Sequence, residues 1–443
     1  MNPEMPPLAI DLLIYPEWII PIEPYGVTLT DHALAINHGI ILDLLPVDEA
    51  STRYAPKEKI CLPGHILLPG LINLHTHAAM SLLRGYADDL SLDTWLTKHI
   101  WPAEAQHVSP DFVHTGTLLA CAEMLRGGIT TFNDMYFFPA VAADAVNQSG
   151  MRATLGLVVM DHPTNYATDA DDYLSKGLAF RDTYKECLNI NFSLAPHAPY
   201  TVSDKTFEKI GTLSAQLEIP IHTHLHETRH EITESIKKHG IRPLQRLHNL
   251  GLLGPQFIAV HAVHLDTTEI DRLKLTGCHV ALCPTSNLKL GSGLPPMTQL
   301  LQHDVNCGLG TDSAASNNRL DVFQEMRLTA LLAKGIEKDA TAFSAHQTLR
   351  AATLNGARAL GLESQIGSLL PGKAADLCAV RLDDWILQPC FDPASHLVYT
   401  AGRNDVTHTW VAGKLKMHDG KPIGIDMQQL LAHIHIWRNR LAA

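Results

Sequence analysis

The 443-residue chain has no excess of basic residues: 34 Lys and Arg stand against 46 Asp and Glu, giving a formal net charge of -12 and a pI near 6.1. Phosphate backbones and anionic bilayers demand a basic footprint, so nucleic acid and membrane are excluded as main partners and a small molecule is expected. There is no C-x-x-C pair among the eight cysteines, Cys61, Cys121, Cys187, Cys278, Cys283, Cys307, Cys378 and Cys390. Their scatter argues against a disulfide framework or a cysteine zinc site, and predicts reduced thiols used as small core residues in a cytoplasmic protein. No uninterrupted apolar stretch reaches membrane-spanning length. The opening "MNPEMPPLAIDLLIYPEW" has no basic region before its apolar run and carries Glu4 and Asp11, unlike a signal peptide. No fixed-period repeat or low-complexity linker breaks the chain.

What is present is a 46% hydrophobic chain, enough to bury a large core and to form one big domain with an accessory one. Its middle alternates short apolar runs with longer helical patterns, the signature of βα units around a parallel sheet. Eight runs are legible, at 65 to 77, 129 to 136, 152 to 160, 189 to 197, 219 to 227, 257 to 265, 279 to 286 and 305 to 313. Between them lie amphipathic segments such as "DFVHTGTLLACAEMLRGG", stopped by Gly127 and Gly128, and "SDKTFEKIGTLSAQL", opened by a Ser or Asp cap. Eight such units predict an α/β fold, a TIM (β/α)8 barrel over 65–365. Both flanks, 1–64 and 366–423, carry short β segments with turn punctuation and are expected to pair into a small β-sandwich domain formed by both chain ends, followed by a C-terminal helix over 424–443.

In a barrel the chemistry sits at the C-terminal ends of the strands. Here those ends are rich in titratable groups: His75 and His77, His197, His224 with Glu227, His261 with His264, and Asp312. His75, His77 and His224 as imidazoles with Asp312 as a carboxylate suffice for a catalytic metal that keeps a position for water. The segment "IPIHTHLHETRHE" admits a competing reading, because His226-Glu227-Thr228-Arg229-His230 spells the H-E-x-x-H of a zinc protease. That motif needs a helix from about residue 226, whereas "IPIHTHLH" alternates and falls where the fifth strand belongs. His226 is then expected near the site rim, His230 on the following helix, and His222 as a hydrogen-bonded barrel histidine.

The stretches "LPGLINLHTHAAMSLLRGYADDLSLDTWL", "HLHET", "AVHAVHL", "CPTSNLKLGSG" and "LGTDSAASNN" closely resemble the amidohydrolase superfamily, from about residue 8 to 423. The nearest branch is similar to the methylthioadenosine/S-adenosylhomocysteine deaminases, beside the triazine hydrolases and guanine deaminases. The resemblance implies one divalent metal ion, zinc first, with Fe2+ and Mn2+ suited to the same donors. It implies that Glu227 shuttles protons, that His261 orients the attacking water, and that Asp312 both ligates and accepts the water proton. Trp95, Glu104, His197 and Ser316 match its substrate-contacting positions, with Glu104 on ribose hydroxyls, Trp95 over the nucleoside, His197 on the base and Ser316 near the far end of the substrate. The implied activity is hydrolytic deamination of 5'-methylthioadenosine, and of S-adenosylhomocysteine more weakly, to the inosine analogue and ammonia. A guanine deaminase, a triazine hydrolase, or a barrel scaffold without chemistry are the alternatives. The nucleic-acid cytidine deaminases are excluded, because their P-C-x-x-C ligands are missing. One departure stands out: the family places two arginines on and after strand three, but here that run is "RATLGLVVMDHPTN", with Leu157 and Val158 where the first would fall. The partner is therefore a small nucleoside, and the oligomeric state, with a homo-oligomer among the options, is left open.

Overall fold

The eight runs all become strands, because β-branched apolar segments bounded by Gly, Pro and Asn fit a pleat and then end it. In a computed structural model, which describes residues 6–442, they pair in chain order as one eight-stranded sheet, from Leu71–Thr76 to Asn306–Leu309. Residues 1–5 and 443, and with them the outermost limits of the expected terminal segments, lie outside the described residues. The barrel closes between its first and last strands: Asp312 N–H donates to His75 O at 2.9 Å. Beside it the Asn73 amide donates to Thr311 Oγ1 at 2.8 Å and accepts from Thr311 N–H at 2.9 Å. Strands covered on both faces carry continuous apolar runs, and Arg152–Val159 is buried at every residue. The expected caps form as well: Ser203 Oγ accepts from Thr206 N–H to open Asp204–Leu217, and Gly127 ends Pro110–Arg126.

The first run divides. Residues 65 to 69 belong to the long strand Tyr54–Pro69, which pairs with Leu377–Arg381, and Gly70 hands the chain to the barrel strand Leu71–Thr76. A Cβ on Gly70 would lie 2.1 Å from Thr130 Oγ1, so only glycine passes there.

Both chain ends build one nine-stranded mixed sheet. Leu8–Ile19 runs parallel to Tyr54–Pro69 and antiparallel to His32–Asn37, while Leu377–Arg381 and Val406–Val411 extend the other side. The sheet curls around Leu12, Ile14, Leu34, Ile36, Leu377 and Trp410. Its edge strand Ile40–Pro46 meets the segment leading into Leu377–Arg381, where Ile41 N–H donates to Lys373 O and Ala375 N–H to Gly39 O, each at 2.8 Å. The helix Met427–Leu441, capped by Asp426, sets Trp437 edge-on against Phe112 at 5.2 Å. No helix among the described residues is long and apolar enough to cross a membrane.

A buried ion pair joins the two parts. Arg152, at the start of the third barrel strand, donates from Nε to Asp376 Oδ2 at 3.0 Å, and Asp376 Oδ1 also accepts from Ala412 N–H at 2.7 Å. Both side chains are buried. Removing one partner leaves an uncompensated charge away from water, so Arg152→Met is expected to lose about 3–5 kcal/mol of stability. Denaturant unfolding checks it, and a loss below about 1 kcal/mol, the range of an exposed pair, would show that the buried bridge matters little.

Candidate active site

The strand ends converge. His75 Nε2 lies 3.4 Å and His77 Nε2 3.3 Å from the same oxygen, Asp312 Oδ1. The donor atoms of His75, His77 and Asp312 lie within 4.8 Å of one another, as do those of His75, His224 and His261. His75 is common to both groups, and the His224 ring lies 5.0 Å from that of His75 and 5.3 Å from that of His77, so the four expected ligands and His261 form one cluster. Each inward nitrogen is freed by a bond on the other side of its ring. His77 Nδ1 donates to Met135 O at 2.6 Å and His224 Nδ1 to His197 O at 2.7 Å; a carbonyl only accepts, which leaves each Nε2 as a lone pair. His75 Nδ1 is paired with His222 Nε2 at 2.9 Å, and His75 Nε2 is buried without a hydrogen-bond partner.

The charges make the same demand for a cation. Burial lowers His75 to about 4 and holds His224 well below its usual value. Burial also disfavours charge on His77, yet the Asp312 carboxylate outweighs it and raises His77 to about 9. A proton there balances a buried carboxylate, and a metal ion meets the same need with all three imidazoles neutral. Asp312 is itself held in place: its Oδ2 accepts from Ser286 Oγ at 2.6 Å and Ser316 Oγ at 2.9 Å, and its Oδ1 from Ser313 N–H at 2.7 Å. The residues present thus fit a divalent metal.

Glu227 faces this centre, its Oε2 3.7 Å from His261 Nε2. His261 Nδ1 is bound to Asn287 Oδ1 at 2.8 Å, which makes it the donor and turns Nε2 toward Glu227. Burial raises the Glu227 carboxyl above its ordinary value. His226, His261 and Asp312 have φ of 56°, 69° and 59°, a left-handed conformation that costs non-glycine residues free energy and clusters at functional sites.

The cavity above is lined by Trp95, Glu104, His197, Glu227 and Asp312, and also by Tyr136 and Val158. Tyr136 Oη donates to Glu104 Oε1 at 2.8 Å, and burial pushes Glu104 up to about 7. Burial lowers His197 to about 3, so its ring is neutral. Two expectations need correction. Ser316 is off the cavity wall, because the short helix Ala314–Asn317 turns its hydroxyl back onto Asp312; Ser313 takes the wall position. His226 is not at the rim: it is fully buried, its Nε2 accepting from Leu244 N–H at 3.1 Å. His230 is exposed on Arg229–His239, so no H-E-x-x-H pair forms on one helix face.

Among the described residues no lysine or arginine lines the cavity. Arg84 is bound to Glu123, and Arg181 lies beside Asp182 at 3.5 Å. Of the strand-three pair, Val158 faces the cavity and Leu157 packs toward Gly177 on the covering helix. Sequence reasoning missed Ser286, Asn287 and Tyr136; their signal is position, since each follows a strand end by a few residues.

The chain matches the Amidohydrolase family over residues 66–416. The 5-methylthioadenosine/S-adenosylhomocysteine deaminase of Teredinibacter turnerae is 46% identical over 435 residues, 98% of either chain. The 5'-deoxyadenosine deaminase of Methanosarcina mazei is 40% identical, across 95% of this chain and 96% of its own. The crystal structure of an adenosine deaminase from Xanthomonas campestris with bound zinc is 47% identical and superimposes with a TM-score of 0.97 over 99% of this chain and 100% of its own. Relatives this similar along their entire length, together with the family match, make this protein a member of the amidohydrolase family.

Proposed function

We propose that the protein hydrolytically deaminates 5'-methylthioadenosine, and S-adenosylhomocysteine more weakly, to the inosine analogue and ammonia. The observation that supports this is the clustering of His75, His77, His224 and Asp312 at the floor of a cavity that Glu227 also lines. The substrate class follows the names of the Teredinibacter and Methanosarcina relatives. Zinc is the metal assigned, since the donors suit it and the Xanthomonas relative holds it. In this reading the barrel, expected over 65–365 and entered at Leu71, carries every group of the site, and the paired terminal segments on either side of it carry none.

When bound, the metal supplies a water ionised near neutral pH. The protein does the rest. His261, fixed by Asn287, orients the attacking oxygen through Nε2, and Asp312 takes up its proton. Glu227 carries one proton of the water to the ring nitrogen beside the attacked carbon, and the proton taken up by Asp312 goes on to the departing amine, so that water and the aminopurine become the oxopurine and ammonia. Glu104, held by Tyr136, accepts from ribose hydroxyls, while Trp95 covers the nucleoside and His197 meets the base.

Beyond Glu104 lies a hollow walled by apolar Trp101, Val108, Phe137, Met160 and Pro163 together with polar His162, Thr164 and Asn165, and among the described residues no lysine or arginine lines it. The apolar part of this wall suits a thiomethyl group. S-adenosylhomocysteine ends in a zwitterion whose carboxylate is best held by a guanidinium. Losing one charge-assisted hydrogen bond costs roughly 1.5 to 3 kcal/mol, so methylthioadenosine is expected to have about ten- to a hundredfold the higher kcat/KM. Ammonia release across a panel of nucleosides, nucleobases and triazines tests the activity, and the two adenosines side by side test the preference. Release from guanine or a triazine alone would overturn the substrate class; equal efficiencies would overturn the argument from the missing arginines.

A further inference from the structure

The proposed chemistry leaves one carboxylate of "HLHETRHE" unused. Glu231 is the third residue of the helix Arg229–His239, where a glutamate ordinarily reaches back to the N–H of the capping residue. The cap is Thr228, whose hydroxyl accepts from Glu231 N–H at 3.3 Å. The Glu231 carboxylate reaches past it. Its Oε1 accepts from His226 N–H at 3.0 Å and its Oε2 from Glu227 N–H at 2.9 Å. The residue is only 6% exposed, and burial pushes its carboxyl up to about 8. Two backbone donors are what it receives for leaving water.

Those two donors flank the point where the strand inverts. A period of two places His222, His224 and residue 226 on the inner face, and residue 227 on the outer one. The left-handed φ of 56° at His226 reverses this: His226 leaves the barrel for a site under Leu244 N–H, and Glu227 takes the inward place. An imidazole side chain in that conformation persists only where its surroundings hold it. His264 N–H donates to His226 O at 3.1 Å, and Glu231 holds both N–H groups around the inversion.

We infer that Glu231 is a positioning residue for Glu227, its carboxylate fixing the His226–Glu227 peptide whose orientation aims Glu227 at the site. The inference rests on the reading of Glu227 as the proton carrier. Glu231→Gln presents an amide nitrogen to one of the two N–H groups and loses that bond while keeping the volume. With the nucleoside that releases ammonia fastest, kcat is expected to fall about ten- to a hundredfold, as for a misplaced catalytic group, with KM and metal content nearly unchanged. Glu231→Asp, which keeps the charge and shortens the reach, is the second variant and carries the same expectation should the amide variant fail to fold. The deciding measurement is a double-mutant cycle. If Glu231 acts through Glu227, either change adds nothing to the loss already caused by Glu227→Gln. Multiplied losses, a loss of metal, or a fall confined to KM overturn the inference. Normal turnover by Glu227→Gln alone overturns the underlying reading instead, whereas normal turnover by both Glu231 variants beside an inactive Glu227→Gln overturns only the role of Glu231.

Discussion

His224→Ala is expected to lose most of its bound metal, and turnover to fall at least about a thousandfold, because metal binding lowers the pKa of water by roughly eight units. The lost ring contributes a lone pair that the bond from His224 Nδ1 to His197 O aims at the centre. The informative control lies two residues on. His226→Ala removes a buried imidazole and leaves Leu244 N–H without its acceptor, which costs roughly 1–3 kcal/mol of stability but no ligand. Metal analysis of the two purified variants separates them: equal metal loss in both would revive the H-E-x-x-H alternative.

Glu227→Gln is expected to retain a full complement of metal and to bind nucleoside, while kcat falls about a hundredfold or more. The side chain faces His261 and lies outside both donor groups around His75, so exchanging its carboxyl for an amide removes proton transfer and little else. Single-turnover ammonia release with parallel metal analysis reads both quantities. A variant with near-normal turnover would take Glu227 out of the mechanism.

Most of this centre was legible because barrel strands obey a period of two and end where chemistry begins. His75, His77 and Asp312 needed only correct strand assignment to be brought together. The failures have local causes. Regular alternation points His226 inward, toward the rim, but one left-handed residue shifts the register of everything after it. The stretch "AASNN" gives no hint that Ser313 caps a one-turn helix and sends Ser316 back to Asp312. The run 65 to 77 reads as one strand only if the Pro69-Gly70 punctuation inside it is passed over; the division exists because the segment before it has a partner more than 300 residues away. The helix Pro393–Tyr399, within a segment read as β, begins at Asp392 with Pro393 in its first turn, a start signal outweighed by the turns around it.

That distant partner has a consequence for the order in which the molecule can be completed. Tyr54–Pro69 pairs on one side with Leu8–Ile19, available early, and on the other with Leu377–Arg381, which leaves the ribosome only after the whole barrel. Until then residues 65 to 69 present an open edge of unpaired N–H and C=O groups, the kind of template that recruits a neighbouring chain. At about 5–20 residues per second, the roughly 300 intervening residues keep that edge bare for about 15 to 60 seconds. During that interval a nascent chain is most exposed to strand exchange with another copy or to capture by a chaperone.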